Sequence, residues 1–269
     1  MSFDISQVVS QSELQRFFSG IGAHSAKEEL KAGREGAARN VTTKELSRFF
    51  RVAEQHLELS VQKDRQFASR FNVFDLIEPD ENKLSDVLKI LLDPKGAHGQ
   101  GDLFLRLLIK QLGTGLSTLH TKHATVQREA PTHGIEKYRR RIDVFVDAGD
   151  LVAVENKVDS PEQPDQVNDY LAHLRYCVRG TERKTILIYL TPDRRRPDSL
   201  GAAAFESAQA EGRLRCWGYR RELREWLEEC RETCAARRIQ DFLSEFIHCI
   251  ETTIKLHSEP SDSDPANEH

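Results

Sequence analysis

The stretch IDVFVDAGDLVAVENKV, residues 142–158, restricts the fold most. Two apolar runs flank Ala148-Gly149-Asp150, the pattern of a β-hairpin with a short glycine-containing loop. Side chains on a strand alternate between its faces. Ile142, Val144 and Val146 are therefore expected on one face of the first strand, and Asp143, Phe145 and Asp147 on the other. On the second strand Val152, Val154, Asn156 and Val158 share a face, and Leu151, Ala153, Glu155 and Lys157 share the opposite one. A three-residue loop pairs Asp147 with Leu151. Counting outward pairs Phe145 with Ala153 and Asp143 with Glu155. That register makes two carboxylates cross-strand neighbours, with Cβ atoms ~4.5–5.5 Å apart. A slip by one residue would separate them.

Like charges placed opposite each other destabilise a sheet. A carboxylate buried without a partner is costly or takes up a proton. A positive group is needed between the two, and Lys157 is one source. A divalent metal is the other, because Mg²⁺ takes one or two protein carboxylates together with waters and phosphate oxygens. A lysine beside such a site would orient or deprotonate a water and stabilise charge developing on a phosphate. The chemistry suggested is phosphodiester hydrolysis. The competing reading puts Asp143 and Glu155 on a solvent-facing side of the sheet, with Glu155 and Lys157 as surface charge. Against it, VAVENKV is too apolar for an ordinary edge strand.

The flanking sequence places this hairpin in an α/β context. Residues 11–70 read as helical and polar, with Thr42 or Thr43 as a cap. In the helix that follows, Leu46, Phe49, Phe50, Ala53, Leu57 and Val61 keep a spacing that calls for a packing partner. A helix is expected over 81–92, then a glycine-rich loop in DPKGAHGQG, then a helix in DLFLRLLIKQL. Residues 124–130 read as a strand. After the hairpin come a helix with Pro161 and Pro164 at its start, strands in KTILIYLTP and RLRCWGY, and two closing helices. The order implies a mixed central β-sheet with helices on both faces. The expected divisions are a helical N-terminal extension (1–69), a main domain (70–257) and an acidic, disordered tail (258–269).

Composition narrows the function classes. The formal net charge is −4, from 39 basic and 43 acidic residues, and the tail alone holds Glu259, Asp262, Asp264 and Glu268. The remaining body is neutral, which does not announce nucleic-acid binding and counts mildly against a large basic face. Short basic runs, Lys137 with Arg139, Arg140 and Arg141, then Arg194–Arg196, then Arg220 and Arg221, matter only where they flank a site. Five scattered cysteines fit reduced thiols in a cytoplasm, and no run is apolar enough for a membrane span. Cys230, Cys234 and His248 lack a tight zinc-binding pattern. His98 either approaches the site or serves its own loop. No phosphate-loop or dinucleotide fingerprint is present.

These residues resemble the PD-(D/E)xK nuclease superfamily, with its restriction-endonuclease-like fold. RRRIDVFVDAGDLVAVENKV is similar to its central hairpin, with Asp143 as first acid and Glu155-x-Lys157 as second acid and lysine. Gln166 and Tyr170 in DQVNDYLAHL match the Q-x-x-x-Y arrangement of the helix that follows in many members. Spacing i, i+4 puts them on one helix face. ENKLSDVLKILLDPKGAHGQGDLFLRLLI and WGYRRELREWLEEC resemble the first core helix and the late strand and helix of a bacterial subgroup. Ile142 stands where the superfamily usually has proline.

The resemblance implies that Asp143 and Glu155 bind Mg²⁺ or Mn²⁺, with the backbone carbonyl of Asn156 as a further oxygen ligand. Lys157 would act on the nucleophilic water and Glu81 would assist the metal. Gln166 would position the lysine, water or a phosphate, and Tyr170 belongs to the same helix face. Each has a plainer alternative: Glu81 as a first-turn acid favoured by the helix dipole, Gln166 as an exposed helix polar residue, Tyr170 as a core residue with its hydroxyl at the rim. The implied activity is metal-dependent cleavage of nucleic acid, DNA before RNA, with a looser link to defence against foreign DNA. Arg139, Arg140 and Arg141 would touch phosphates beside Asp143. A homodimer or a partner protein would supply selectivity that the chain lacks. The rival reading is a catalytically idle module of the same fold that acts by binding.

Overall fold

The computed structural model describes residues 71–252 apart from 114, 134–139 and 159, and also residues 51, 55–65 and 68. The chain divides into Met1–Arg70 and Phe71–His269. In the first unit residues 55–65 are helical, and Leu57 and Val61 are exposed rather than packed as their spacing suggested. Thr42, Thr43, Leu46, Phe49, Phe50, Ala53 and the acidic tail lie outside the described residues.

In the second unit the described strands form one mixed sheet in sequence order: β1 (Thr125–Pro131), β2 (Arg141–Ala148), β3 (Asp150–Asn156), β4 (Thr185–Thr191) and β5 (Leu214–Gly218). β1, β2 and β3 run antiparallel in turn, and β4 and β5 continue parallel to β3. The hairpin register is the one counted from its loop: Asp147 pairs with Leu151 and Phe145 with Ala153. Gly149 turns the chain at φ +91°, a conformation that L side chains rarely adopt.

Helices cover both faces. One face, with Val144, Val146, Val152, Val154, Ile186 and Ile188, packs against α1 (Val73–Ile77), α2 (Glu81–Leu92), α3 (Leu103–Leu112), α6 (Arg224–Thr233) and α7 (Arg237–Thr252). The other, with Leu151, Ala153, Leu187 and Tyr189, packs against α4 (Gln166–Cys177) and α5 (Ala202–Ala210). Fully burying one such aliphatic side chain stabilises by about 1.5–3 kcal/mol. Trp226 anchors α6 in the first layer and donates its indole N–H to the Phe104 carbonyl at 3.0 Å.

Three details depart from the sequence expectation. Helix α5 was not anticipated. It fills the crossover that parallel strands β4 and β5 require, yet Ala208 is its only buried residue, so it shows no apolar stripe. Helix α4 starts only at Gln166, after Asp165 in the left-handed region at φ +59°, so Pro161 and Pro164 lie in the preceding loop. Ile142 does not share a face with Val144 and Val146. It packs with Leu151, Ala153 and Tyr170, whereas the two valines pack in the opposite layer.

Helix α2 is capped by Asp80, whose carboxylate accepts the Lys83 N–H at 2.8 Å. Leu84, Leu88, Leu91 and Leu92 then bind it to the core. That cap fixes Glu81 at the first turn, directed at the end of β3. Among the described residues no helix is long and apolar enough to cross a membrane.

Candidate active site

The alternation of β2 breaks at Asp143. On one side, β1 and β2 pair at Arg128–Val144 and Ala130–Ile142, and the intervening rung between Glu129 and Asp143 is missing. Glu129 is left-handed there, at φ +47°. The Asp143 carbonyl accepts a bond from the Arg128 guanidinium instead. On the other side the β2–β3 ladder stops at Val144–Val154. The Asn156 N–H donates to Asp143 Oδ2 at 2.8 Å. Side chains thus replace ladder bonds on both flanks of Asp143. Its other oxygen, Oδ1, lies 4.0 Å from Arg128 Nη1.

Glu155 is 2% exposed at the end of β3. Its Oε1 accepts from Gln166 Nε2 at 2.8 Å and lies 3.4 Å from Lys157 Nζ. Its Oε2 is buried with no hydrogen-bond partner. Burial raises the Glu155 pKa well above the ordinary carboxylate range, and the Asp143 charge adds to the rise. Burial also raises the pKa of Asp143, against the lowering effect of the Asn156 N–H. Asp143 and Glu155 are therefore close enough to repel, as the register required.

Glu81 lies beside Lys157 and Val158. Its Oε2 accepts the Val158 N–H at 3.0 Å, and its Oε1 is 3.9 Å from Lys157 Nζ. The lysine thus stands between two carboxylates, with its side chain 8% exposed. The Asn156 side chain turns into the opposite layer. Its Nδ2 donates to the Glu81 carbonyl at 3.0 Å and to Ser85 Oγ at 3.1 Å, and its Oδ1 accepts from the Tyr219 hydroxyl at 2.5 Å.

Gln166 and Tyr170 sit on one face of α4, as the i, i+4 spacing required, and both are buried. Gln166 is not an exposed helix polar residue. Its Nε2 also donates to the Tyr170 hydroxyl at 3.0 Å, and its Oε1 accepts the Gln163 N–H at 3.1 Å. The Tyr170 hydroxyl donates to the Arg141 carbonyl at 2.8 Å. Tyr170 is 1% exposed and links α4 to the start of β2.

The basic run ahead of Asp143 divides. Lys137 and Arg139 lie outside the described residues. Arg140, expected at a phosphate, is buried, and its guanidinium donates to Asp169 Oδ2 at 2.5 Å, Gln163 Oε1 at 2.8 Å and the Pro164 carbonyl at 2.5 Å. It clamps the loop before α4 and cannot reach a ligand. Arg141 is exposed and pairs with Glu129 at 2.6 Å. His98 serves its own loop: its ring nitrogens bond the Asp93 carbonyl and the Gln100 N–H. Cys230 and Cys234 are core residues, and His248 is exposed.

The donor set suits a hard divalent cation held by two carboxylates. Glu155 Oε2 lacks a partner, and burial together with a neighbouring carboxylate raises the pKa of both acids. Among the described residues no three His, Cys, Asp or Glu side chains converge on one point. Glu81 is turned to Lys157 and Val158 instead. Arg128, Ser85 and Tyr219 escaped the sequence reading, and Arg140 was given a different role. Arg128 and Tyr219 carry no periodic signal, and Arg140 was legible only as one charge in a run.

No curated protein and no solved structure matches the chain. A family model described as PD-(D/E)XK nuclease superfamily matches residues 71–248, which span the whole sheet and every site residue above. The break at Asp143, the paired Glu155 and Lys157 and the Gln166–Tyr170 face all fall within that match, and the chain belongs to the PD-(D/E)XK nuclease superfamily.

Proposed function

We propose that this protein is a divalent-metal-dependent nuclease that hydrolyses phosphodiester bonds in DNA. The observation that carries the reading is the buried, partnerless Oε2 of Glu155, beside Asp143 and Lys157. Asp143 and Glu155 would hold Mg²⁺ or Mn²⁺, with the Asn156 carbonyl as a further oxygen donor. The bound cation would supply Lewis-acid stabilisation of charge on the phosphate and a more acidic water. Lys157 would act on that water, and its amine lies between the Glu155 and Glu81 carboxylates. Gln166 fixes the Glu155 carboxylate through Oε1, and Tyr170 fixes Gln166. Glu81 holds Lys157 from the opposite side. A cleft of about 260 Å³ is lined by Pro79, Asp80, Glu81, Asn82, Val158 and Ser160, so of these groups only Glu81 borders it.

The test is cleavage of duplex DNA, single-stranded DNA and RNA with Mg²⁺, Mn²⁺ or EDTA, comparing wild type with Lys157→Ala. The expected result is metal-dependent cleavage of DNA that the substitution abolishes. Preference for RNA would replace the substrate class. Cleavage equal in both proteins would remove the mechanism. Defence against foreign DNA is the cellular extension of this reading, and expression of wild type against Asp143→Ala under phage challenge tests it. Equal phage yields would reject it.

A further inference from the structure

Asp143 is held in a posture that a regular strand would deny it. In an antiparallel pair, directly opposed residues alternate between rungs that exchange both N–H···O bonds and rungs that exchange none. At Asp143 neither neighbouring rung forms. Buried backbone groups cannot be left unpaired without cost, so each lost rung must have a substitute. On the β3 side the Asp143 carboxylate itself takes the Asn156 N–H. On the β1 side the substitute is Arg128, whose guanidinium binds the Asp143 carbonyl.

Arg128 is anchored in turn. Its Nε donates to Asp86 Oδ1 at 2.7 Å and its Nη2 to the Asn82 carbonyl at 3.2 Å, both on α2. One planar group therefore ties edge strand β1, Asp143 and α2 together, and α2 carries Glu81. Glu129 permits this by leaving the ladder at φ +47°, a conformation that carries strain for a residue other than glycine. The layer change from Val144 to Ile142 occurs across the same point.

We propose that Arg128 is a positioning residue for metal binding: it substitutes for the missing β1 rung and so presets Asp143 as a ligand. The inference rests on the metal-dependent reading above. It assigns Arg128 no contact with substrate or reacting atoms. Partners that orient metal ligands commonly cost 10–100-fold in metal affinity when lost. A lysine cannot replace the fork, because one amine cannot serve Asp86, Asn82 and the Asp143 carbonyl together.

The experiment is Mn²⁺ titration of the full chain, with free Mn²⁺ read by its paramagnetic resonance signal. The proteins are wild type, Arg128→Lys, Arg128→Met, Asp86→Asn and Asp143→Asn, each melted without metal as a folding control. Expected are Mn²⁺ dissociation constants about 10–100-fold weaker for both Arg128 variants and a smaller weakening for Asp86→Asn. Excess Mn²⁺ should restore their cleavage, which loss of a catalytic group would not allow. If Arg128→Met fails to fold, Arg128→Lys and Asp86→Asn decide; Asp86 is 59% exposed in its side chain, so its change spares the core. Wild-type affinity in the folded variants, with binding lost in Asp143→Asn, would overturn this inference alone. No Mn²⁺ binding by wild type would overturn the metal reading and the inference with it.

Discussion

Gln166 Nε2 donates to Glu155 Oε1 at 2.8 Å, while Oε2 of the same carboxylate stays buried without a partner. One oxygen is held and the other is presented. Gln166→Ala should leave Glu155 free to turn toward Lys157. Mn²⁺ affinity is then expected to fall on the order of 10-fold or more, with cleavage recovering at high metal. A titration indistinguishable from wild type would show that Lys157 alone orients the carboxylate.

The two acids also set a pH dependence. Burial raises the pKa of both Asp143 and Glu155 in the folded chain. The unfolded chain releases these protons near the ordinary carboxylate value, around pH 4. Above that pH the unfolded state holds fewer protons than the folded one. Stability of the metal-free protein therefore falls as pH rises through the raised values. A cation held by these carboxylates would displace the same protons, so its affinity should climb over the same window. Asp143→Asn removes one burdened group. Its metal-free melting temperature at pH 8 should exceed wild type, by roughly 2–4 °C for each kcal/mol gained, and the gain should vanish toward pH 4. A lower melting temperature at pH 8 would contradict this account.

Arg140 and Arg141 are adjacent and should behave differently. Arg140→Ala strands Asp169, whose side chain is 15% exposed, and frees the loop before α4. A loss of about 3 kcal/mol or more is expected in urea unfolding. Arg141→Ala should change stability little, because its pair with Glu129 is exposed. If Arg141 touches a phosphate, its loss should reduce the salt slope of DNA binding by about one. An unchanged slope would exclude it from the interface.

The Tyr219 hydroxyl is the donor to Asn156 Oδ1, inside the core. Tyr219→Phe leaves that oxygen unsatisfied and should cost about 1–3 kcal/mol. Denaturant unfolding checks the value. A neutral result would mean that water replaces the hydroxyl.

The hairpin was legible because its short loop fixes the count and strand alternation does the rest. Gln166 and Tyr170 came from the family resemblance, and their spacing added only that they share a helix face, whereas Glu155 and Lys157 followed from strand alternation. The break at Asp143 did not, because it depends on a guanidinium reaching across from Arg128 and on a left-handed Glu129. Neither leaves a mark in hydrophobic pattern. Helix α5 escaped because it buries only Ala208, so its apolar spacing carries no signal. Arg140 and Arg141 look identical in sequence. Their fates differ because Arg140 precedes the strand and turns in toward Asp169, whereas Arg141 is exposed on β2.

Asn156 is braced by Glu81, 75 residues before it, and by Tyr219, 63 residues after it. A ribosome makes the chain from the N-terminus. Both acids and the lysine emerge while the residue that closes the floor beneath them is still untranslated. The parallel strand β5 and the turn at Tyr219 arrive late, and only then can the layer under Asn156 be sealed.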